Sequence, residues 1–222
     1  KKKKREVIIL KSALILIDLQ KDFCKNGALE VKEGDEVIKT ANKMIEKFNK
    51  KGSLIIATKD WHPDGHKSFA VNSNAKIGEI GELNGLMQVW WPKHCVENTS
   101  GSEFHDELNS ERINKVIYKG MDKEIDSYSA FFDNGKKNKT ELDGFLKENG
   151  VDVLYIMGLA TDYCVKYTVL DALSLGYKVY LIKEGCRGVN IDPEDSEEAI
   201  KEMEKFGALI LGVDLFLQGS NV

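Results

Sequence analysis

An α/β fold, a three-layer sandwich with a mainly parallel central sheet flanked by helices, is predicted by three features of the sequence. The apolar runs at 13–17, 54–57 and 153–157 are continuous rather than alternating, as strands buried on both faces require. Stretches with helical spacing separate these runs, and strands alternating with helices at this interval indicate a parallel sheet covered on both sides. The chain has 222 residues and 42% hydrophobic content. That fills one sizeable core and hardly two, so 1–222 is expected to be a single domain.

The elements can be read in order. The run 13–17 ends at Asp18. Val37, Ala41, Met44, Ile45 and Phe48 recur at helical spacing, with Gly52 at the helix end. The strand at 54–57 ends near Thr58, Lys59 and Asp60. From about 61 to 111 the period is lost. This stretch holds Gly65, Gly78, Gly81, Gly85, Pro63, Pro92, all four histidines and all three tryptophans. Long irregular segments in compact domains are functional or disordered. The aromatic and histidine content argues for function, so a metal-binding and lid segment is expected at about 60–112. A short strand at 116–118 ends near Lys119, and a helix is expected at 140–149. The strand at 153–157 leads to Gly158. Thr161 or Asp162 can cap a helix running to about Leu175 and closed by Gly176. A strand at 177–182, a helix from Pro193 to about Phe206 and a strand at 208–211 complete the pattern.

Composition excludes several function classes. The formal net charge is −4, unlike the basic patch or stripe of a nucleic-acid binder. The opening Lys1-Lys2-Lys3-Lys4-Arg5 reads as a solvated end before the first strand. No apolar run approaches the roughly 18 residues of a membrane span, and no apolar leader with a cleavage site is visible. Cys24, Cys95, Cys164 and Cys186 are widely spaced and form no C-x-x-C pair. That pattern suits a reducing compartment, the cytoplasm, with one thiol kept for chemistry.

In a parallel sheet the strand ends converge on one edge, where ligands bind. Asp18, Asp60 with His62, Lys119 and the loop from Gly158 to Cys164 would then meet there. Cys164 is expected in the first turn of a helix. There, unpaired N–H groups, the helix dipole and nearby Lys119 would hold its thiol below the free value of about 8.5. Asp18 can take the thiol proton and return it to a leaving amine. On helix position alone Cys164 would read as a small buried residue; Asp18 and Lys119 at neighbouring strand ends reverse that. Asp60 and His62, with His94 downstream, offer one carboxylate and two imidazoles, a set suited to zinc, iron or manganese with positions left open. By itself the Asp60-Trp61-His62 pattern would be a hydrogen-bonded loop. His66 and Ser68 are auxiliary candidates, and His105 reads as a surface histidine. Of Trp61, Trp90, Trp91, Phe23 and Tyr128, two or three are expected to wall a flat apolar pocket, and Phe23, Trp91 and Tyr128 are the choice.

These residues fall in stretches whose combination is specific: Ile17-Asp18-Leu19-Gln20-Lys21-Asp22-Phe23; Asp60-Trp61-His62-Pro63-Asp64-Gly65-His66-Lys67-Ser68-Phe69; Trp91-Pro92-Lys93-His94-Cys95-Val96; and Gly158-Leu159-Ala160-Thr161-Asp162-Tyr163-Cys164-Val165. The chain resembles nicotinamidases of the isochorismatase-like cysteine hydrolase superfamily, over nearly its whole length. The resemblance implies the isochorismatase-like hydrolase fold and hydrolysis of nicotinamide, and of pyrazinamide, within NAD salvage. It implies Cys164 as nucleophile, Asp18 as general acid/base and Lys119 as the cation ordering the pair. Asp60, His62 and His94 would hold one divalent metal, zinc foremost, facing the ring nitrogen. It further implies a cis peptide between Leu159 and Ala160, and an oxyanion hole from the N–H groups of Ala160 and Cys164. It sets no oligomeric state.

Two alternatives stand beside it. An amidase of the same superfamily acting on a carbamoyl or ureido group would share Cys164, Asp18 and Lys119, but the Asp60, His62 and His94 set disfavours it. A non-catalytic metal- or ligand-binding protein would have no use for the intact triad.

Overall fold

Ser12–Ile17 forms β1, whose last five residues are entirely buried, and the sheet is built outward from it. The computed structural model describes residues 9–218, and the basic Lys1-Lys2-Lys3-Lys4-Arg5 start lies outside them. After β1 come α1 (Glu36–Lys50), β2 (Leu54–Asp60), β3 (Ile80–Leu83), β4 (Leu86–Val89), β5 (Lys115–Lys119), α2 (Leu142–Glu148) and β6 (Val153–Leu159). The chain continues through α3 (Lys166–Ser174), β7 (Lys178–Arg187), α4 (Asp195–Lys205), β8 (Leu209–Leu211) and α5 (Val213–Gln218). Six strands make one sheet in the order β5-β2-β1-β6-β7-β8, every neighbouring pair parallel. The expected α/β sandwich is the observed architecture.

The sheet grows from β1 in both directions, to β2 and β5 on one side and to β6, β7 and β8 on the other. Right-handed crossovers therefore put α1 on one face and α2, α3 and α4 on the opposite face. α1 presents Val37, Ile38, Ala41, Met44, Ile45 and Phe48 inward. Phe48 meets Tyr155 of β6 edge-on at 5.3 Å and stacks with Phe216 of α5 at 6.1 Å. The reversal of strand order between β1 and β6 opens a crevice at their carboxyl ends, the usual ligand site in such sheets. Asp18 follows one of those strands and Ala160 the other. No helix among the described residues is long and apolar enough to cross a membrane.

The structure departs from the sequence reading at four places. The irregular segment contains a hairpin, β3 and β4, turned by Asn84 and Gly85 with φ of 49° and 82°. Two successive left-handed residues define the tight turn that matches strand twist. The flanking strands are too short to show a period. The helix after β6 has no side-chain cap: it opens with a wide turn over Thr161–Val165, and the Asp162 carboxylate accepts instead from Val189 N–H (2.9 Å) and Asn190 N–H (2.8 Å). β7 runs on to Arg187, five residues past the expected end at 182. The short α5 was not anticipated.

One glycine is demanded by the sheet itself. Gly158 pairs with Ile17, its φ is 135°, and a Cβ there would lie 2.2 Å from the Ile17 carbonyl oxygen. Gly158→Ala therefore forces two central strands apart and places alanine in a glycine conformation. It is expected to cost at least about 2 kcal/mol, read as a lower urea midpoint; an unchanged midpoint contradicts this account of the β1–β6 junction.

Candidate active site

Three strand ends deliver charged groups to the crevice, and the loop after a fourth brings Cys164. β1 ends at Asp18, held in a left-handed conformation (φ 50°) that aims its carboxylate across the sheet. Thr58 fixes it: the Asp18 N–H donates to Thr58 Oγ1 at 3.1 Å, and that hydroxyl donates to Asp18 Oδ1 at 2.5 Å. β2 ends at Asp60 and β5 at Lys119, partners in register. Lys119 is 2% exposed. Its Nζ lies 2.9 Å from Asp18 Oδ2 and 3.2 Å from Cys164 Sγ, donates to Asp60 Oδ1, and reaches the Ser127 carbonyl at 3.2 Å. Asp18, Lys119 and Cys164 thus share one dry contact.

Burial and charge act against each other here. Burial pushes Asp18 above the ordinary carboxylate range in spite of Lys119. Burial acts on Asp60 too, but Lys119 and His62 outweigh it and hold that carboxyl well below the range. Asp18 and Asp60 outweigh burial at Lys119 and hold its ammonium charged. Burial drives the Cys164 thiol well up, and Lys119 offsets this only partly. This corrects the expectation of a depressed thiol. Cys164 does sit in the opening helical turn, but at 7% exposure the loss of solvation outweighs the helix terminus and the lysine.

Beside this contact lies a cluster of metal-ligating type. Ligand atoms of Asp60, His62 and His94 fall within 4.8 Å of one another. His62 Nε2 is 3.5 Å and His94 Nε2 3.7 Å from Asp60 Oδ2. Two ligands about 2.1 Å from a tetrahedral ion stand roughly 3.4 Å apart, so this spacing fits a divalent cation. The rings are oriented for it. His62 Nδ1 lies 2.8 Å from the Gly120 carbonyl and His94 Nδ1 2.8 Å from the Pro92 carbonyl. A proton on each Nδ1 would satisfy these carbonyls and turn Nε2 toward Asp60. His62 Nε2, His66 Nε2 and Ser68 Oγ are buried without a hydrogen-bond partner. Unpaired buried polar atoms gathered beside Asp60 and His94 fit a cation site and the groups around it.

Phe23, Trp91 and Tyr128 line the cleft above Cys164 and Ala160. Trp91 and Tyr128 are joined by a 3.3 Å hydrogen bond from the indole to the phenol. Trp61 lies elsewhere, edge-on to Tyr118, and Trp90 packs with Ala70 and Leu83. The Leu159–Ala160 peptide is cis. His105 pairs with Asp35 at 3.0 Å, away from the cleft. Sequence reasoning missed Tyr163, which stands edge-on to Trp91 at 4.9 Å, and Asp126, buried in the same wall. It also missed Gly120, where a Cβ would lie 2.3 Å from the His62 ring. A glycine just past a strand end was the one signal available for it.

The isochorismatase domain profile matches residues 12–214. The chain is 52% identical to the nicotinamidase of Escherichia coli over 198 residues, covering 89% of this chain and 93% of that one. Among solved structures it is similar to the Acinetobacter baumanii nicotinamidase, at 38% identity and TM-score 0.88 over 94% of this chain and 99% of that one. It is also similar to the pyrazinamidase of Pyrococcus horikoshii in complex with zinc, at 41% identity and TM-score 0.76 over 91% and 99%.

Removing the shared ammonium tests the electrostatics without reference to any substrate. Lys119→Met leaves Asp18 and Asp60 buried and uncompensated, which is expected to cost about 3–5 kcal/mol of folding stability near neutral pH. In that variant both carboxyls have raised pKa values in the folded state, so folding takes up protons and the deficit narrows as pH falls. Urea midpoints of parent and variant across pH read this directly; a deficit that is absent, or that widens on acidification, contradicts it.

Proposed function

The chain belongs to the isochorismatase family, and from that premise we propose that it hydrolyses nicotinamide to nicotinate and ammonia through a thioester on Cys164. The observation that carries this reading is the single contact joining Lys119 to both Asp18 and Cys164, on the floor of a cleft that also holds Asp60 and His94. A buried thiol kept protonated by its surroundings needs a base in contact, and Asp18 is that base. The sulfur attacks the carboxamide carbon as the thiol proton passes to Asp18. Negative charge on the carbonyl oxygen is met by the N–H groups of Ala160 and Cys164. The C–N bond then breaks, Asp18 returns the proton to the departing ammonia, and a thioester remains. Water, deprotonated by Asp18, attacks it, and nicotinate leaves as the thiol re-forms. Lys119 holds Asp18 and the sulfur at fixed distance throughout.

Asp60, His62 and His94 would hold a divalent cation, which when bound supplies a Lewis-acid contact for the pyridine nitrogen. The mixed carboxylate and imidazole set suits zinc, iron or manganese, and the zinc complex of the Pyrococcus relative favours zinc. His66 is assigned a different part. Its Nδ1 accepts from Ser68 N–H at 3.1 Å, and burial lowers the ring to about 4, so it is neutral with its proton on Nε2. It would donate a hydrogen bond to a group on the cation rather than ligate. Trp91, Tyr128 and Phe23 hold the ring plane, which orients the carboxamide over the sulfur. Four free, buried cysteines support work in a reducing cytoplasm.

Ammonia release from nicotinamide by the purified protein is the first test, and its absence overturns the reading. Cys164→Ala should lower turnover by several powers of ten, each worth about 1.4 kcal/mol of barrier, with far-UV circular dichroism unchanged. Ammonia release by that variant within about tenfold of the parent, roughly 1.4 kcal/mol, removes Cys164 from the chemistry.

Substrate comparison tests the ring contact. Benzamide keeps the shape and the amide but has no ring nitrogen. Its kcat/KM is expected to fall at least about tenfold below that of nicotinamide, while pyrazinamide, which keeps a nitrogen in place, is still cleaved. Equal values for nicotinamide and benzamide would deny the cation any part in reading the ring.

A further inference from the structure

β1 stops pairing with β2 at Leu16 opposite Ala57, three residues before β2 ends at Asp60. On its other side Asp60 keeps a strand partner in Lys119. The side chain of Gln20 takes the place that β1 has left. Its carbonyl oxygen accepts from the Asp60 N–H at 2.9 Å, and its amide nitrogen donates to the Asp60 carbonyl at 2.8 Å and to the Ser102 carbonyl at 2.9 Å. Gln20 is fully buried. Both amide protons are used, and the side chain presents Asp60 with the donor and acceptor that a peptide group in a neighbouring strand would supply.

Two residues further on, Asp22 acts on another ligand segment. Its Oδ2 accepts from the Cys95 N–H at 2.7 Å and its Oδ1 from the Ala28 N–H at 3.2 Å. Cys95 has φ of 46°, a left-handed conformation that a non-glycine residue holds only where its surroundings enforce it. The peptide so held joins Cys95 to His94. Gly101 lies close behind: a Cβ there would be 2.2 Å from Asp22 Oδ2, so the carboxylate has no room to swing away.

We propose that Gln20 and Asp22 are positioning residues for the metal ligands, Gln20 fixing the main chain of Asp60 and Asp22 fixing the turn that carries His94. Neither touches the cation or the substrate. The short segment after β1 thereby sets the acid–base residue Asp18 and two ligands from distant parts of the chain in one frame. The inference rests on the reading that Asp60, His62 and His94 hold a divalent cation.

The test is zinc affinity, measured by competition with a chromophoric chelator on the purified parent, Gln20→Met and Asp22→Asn, with circular dichroism and thermal midpoints as the check on folding. The parent should bind one zinc tightly. Each folded variant should bind it roughly 10–100-fold more weakly, and its kcat should recover toward the parent value as zinc is raised to saturation. A purely structural role would lower the thermal midpoint and leave zinc affinity unmoved. Affinity within about twofold of the parent in a folded variant overturns the proposal; should Gln20→Met not fold, Asp22→Asn decides it by the same readout. Failure of the parent itself to bind zinc overturns the metal reading and this inference with it, an outcome distinct from a tight parent with unaltered variants.

Discussion

The ammonium of Lys119 is in contact with two buried carboxylates and a thiol at once. Each of those groups would be costly to bury alone, because charge in a low-dielectric site has no water to solvate it. Lys119 can serve all three only because of strand order. β5 lies at the edge of the sheet, β2 and β1 come next, and β6 stands beyond them. Neighbouring strands are about 4.8 Å apart, and the long lysine side chain bridges from the end of β5 past Asp60 to the groups that follow β1 and β6. A different order of the same strands would leave the carboxylates without their counter-charge. Topology and electrostatics are here one constraint.

Asp60 divides its two oxygens between the halves of the site. Oδ1 accepts from Lys119, and Oδ2 faces the imidazoles of His62 and His94. The carboxylate shared with His62 and His94 is therefore also part of the environment that sets Asp18 and Cys164. Its main chain is held from both sides, by β5 and by Gln20, which leaves the side chain few ways to relax. Both proximal ring nitrogens are tied to backbone carbonyls, at Gly120 and Pro92. Backbone acceptors meet these rings without adding further charge to a region that already holds the carboxylates of Asp18, Asp60 and Asp126.

The parallel core was legible in the sequence because its strands are buried on both faces and read as unbroken apolar runs. Asp18, Asp60, Lys119 and the loop to Cys164 could be placed by strand-end logic alone, since a parallel sheet sends every strand end to one edge. What escaped depended on contacts between segments far apart in the chain. Gln20 shows no pattern of its own, and its partner Asp60 is 40 residues away. The depth at which Cys164 is buried follows from packing, which is why a helix start suggested a depressed thiol and the structure gives a raised one. The hairpin of β3 and β4 announced itself only in Asn84-Gly85, a turn signal between strands too short to alternate. Trp61 and Trp90 could not be told from Trp91 by composition, because the three differ only in what the fold brings against them.

The irregular segment that carries the histidines is ordered by its pairing with a second irregular segment. Gln88, at 2% exposure, donates to the Asp126 carboxylate at 2.8 Å, and Lys67 pairs with Glu124 at 2.7 Å. Trp91 donates to Tyr128, and Asn84 to the Glu124 carbonyl at 2.6 Å. Short backbone bridges, His62 with Val96 and Phe69 with Trp91, close the segment on itself. Long stretches without regular structure thus hold one another through side-chain bonds, some buried and some at the surface, in place of a ladder of peptide groups. The aromatic walls are fixed by these same bonds before any ligand enters, so the entropy of arranging them is lost on folding rather than on binding. On the proposed reading, a planar ring that enters such a slot would find its orientation already decided, and selection would then fall to what the ring presents to Asp60, His62 and His94.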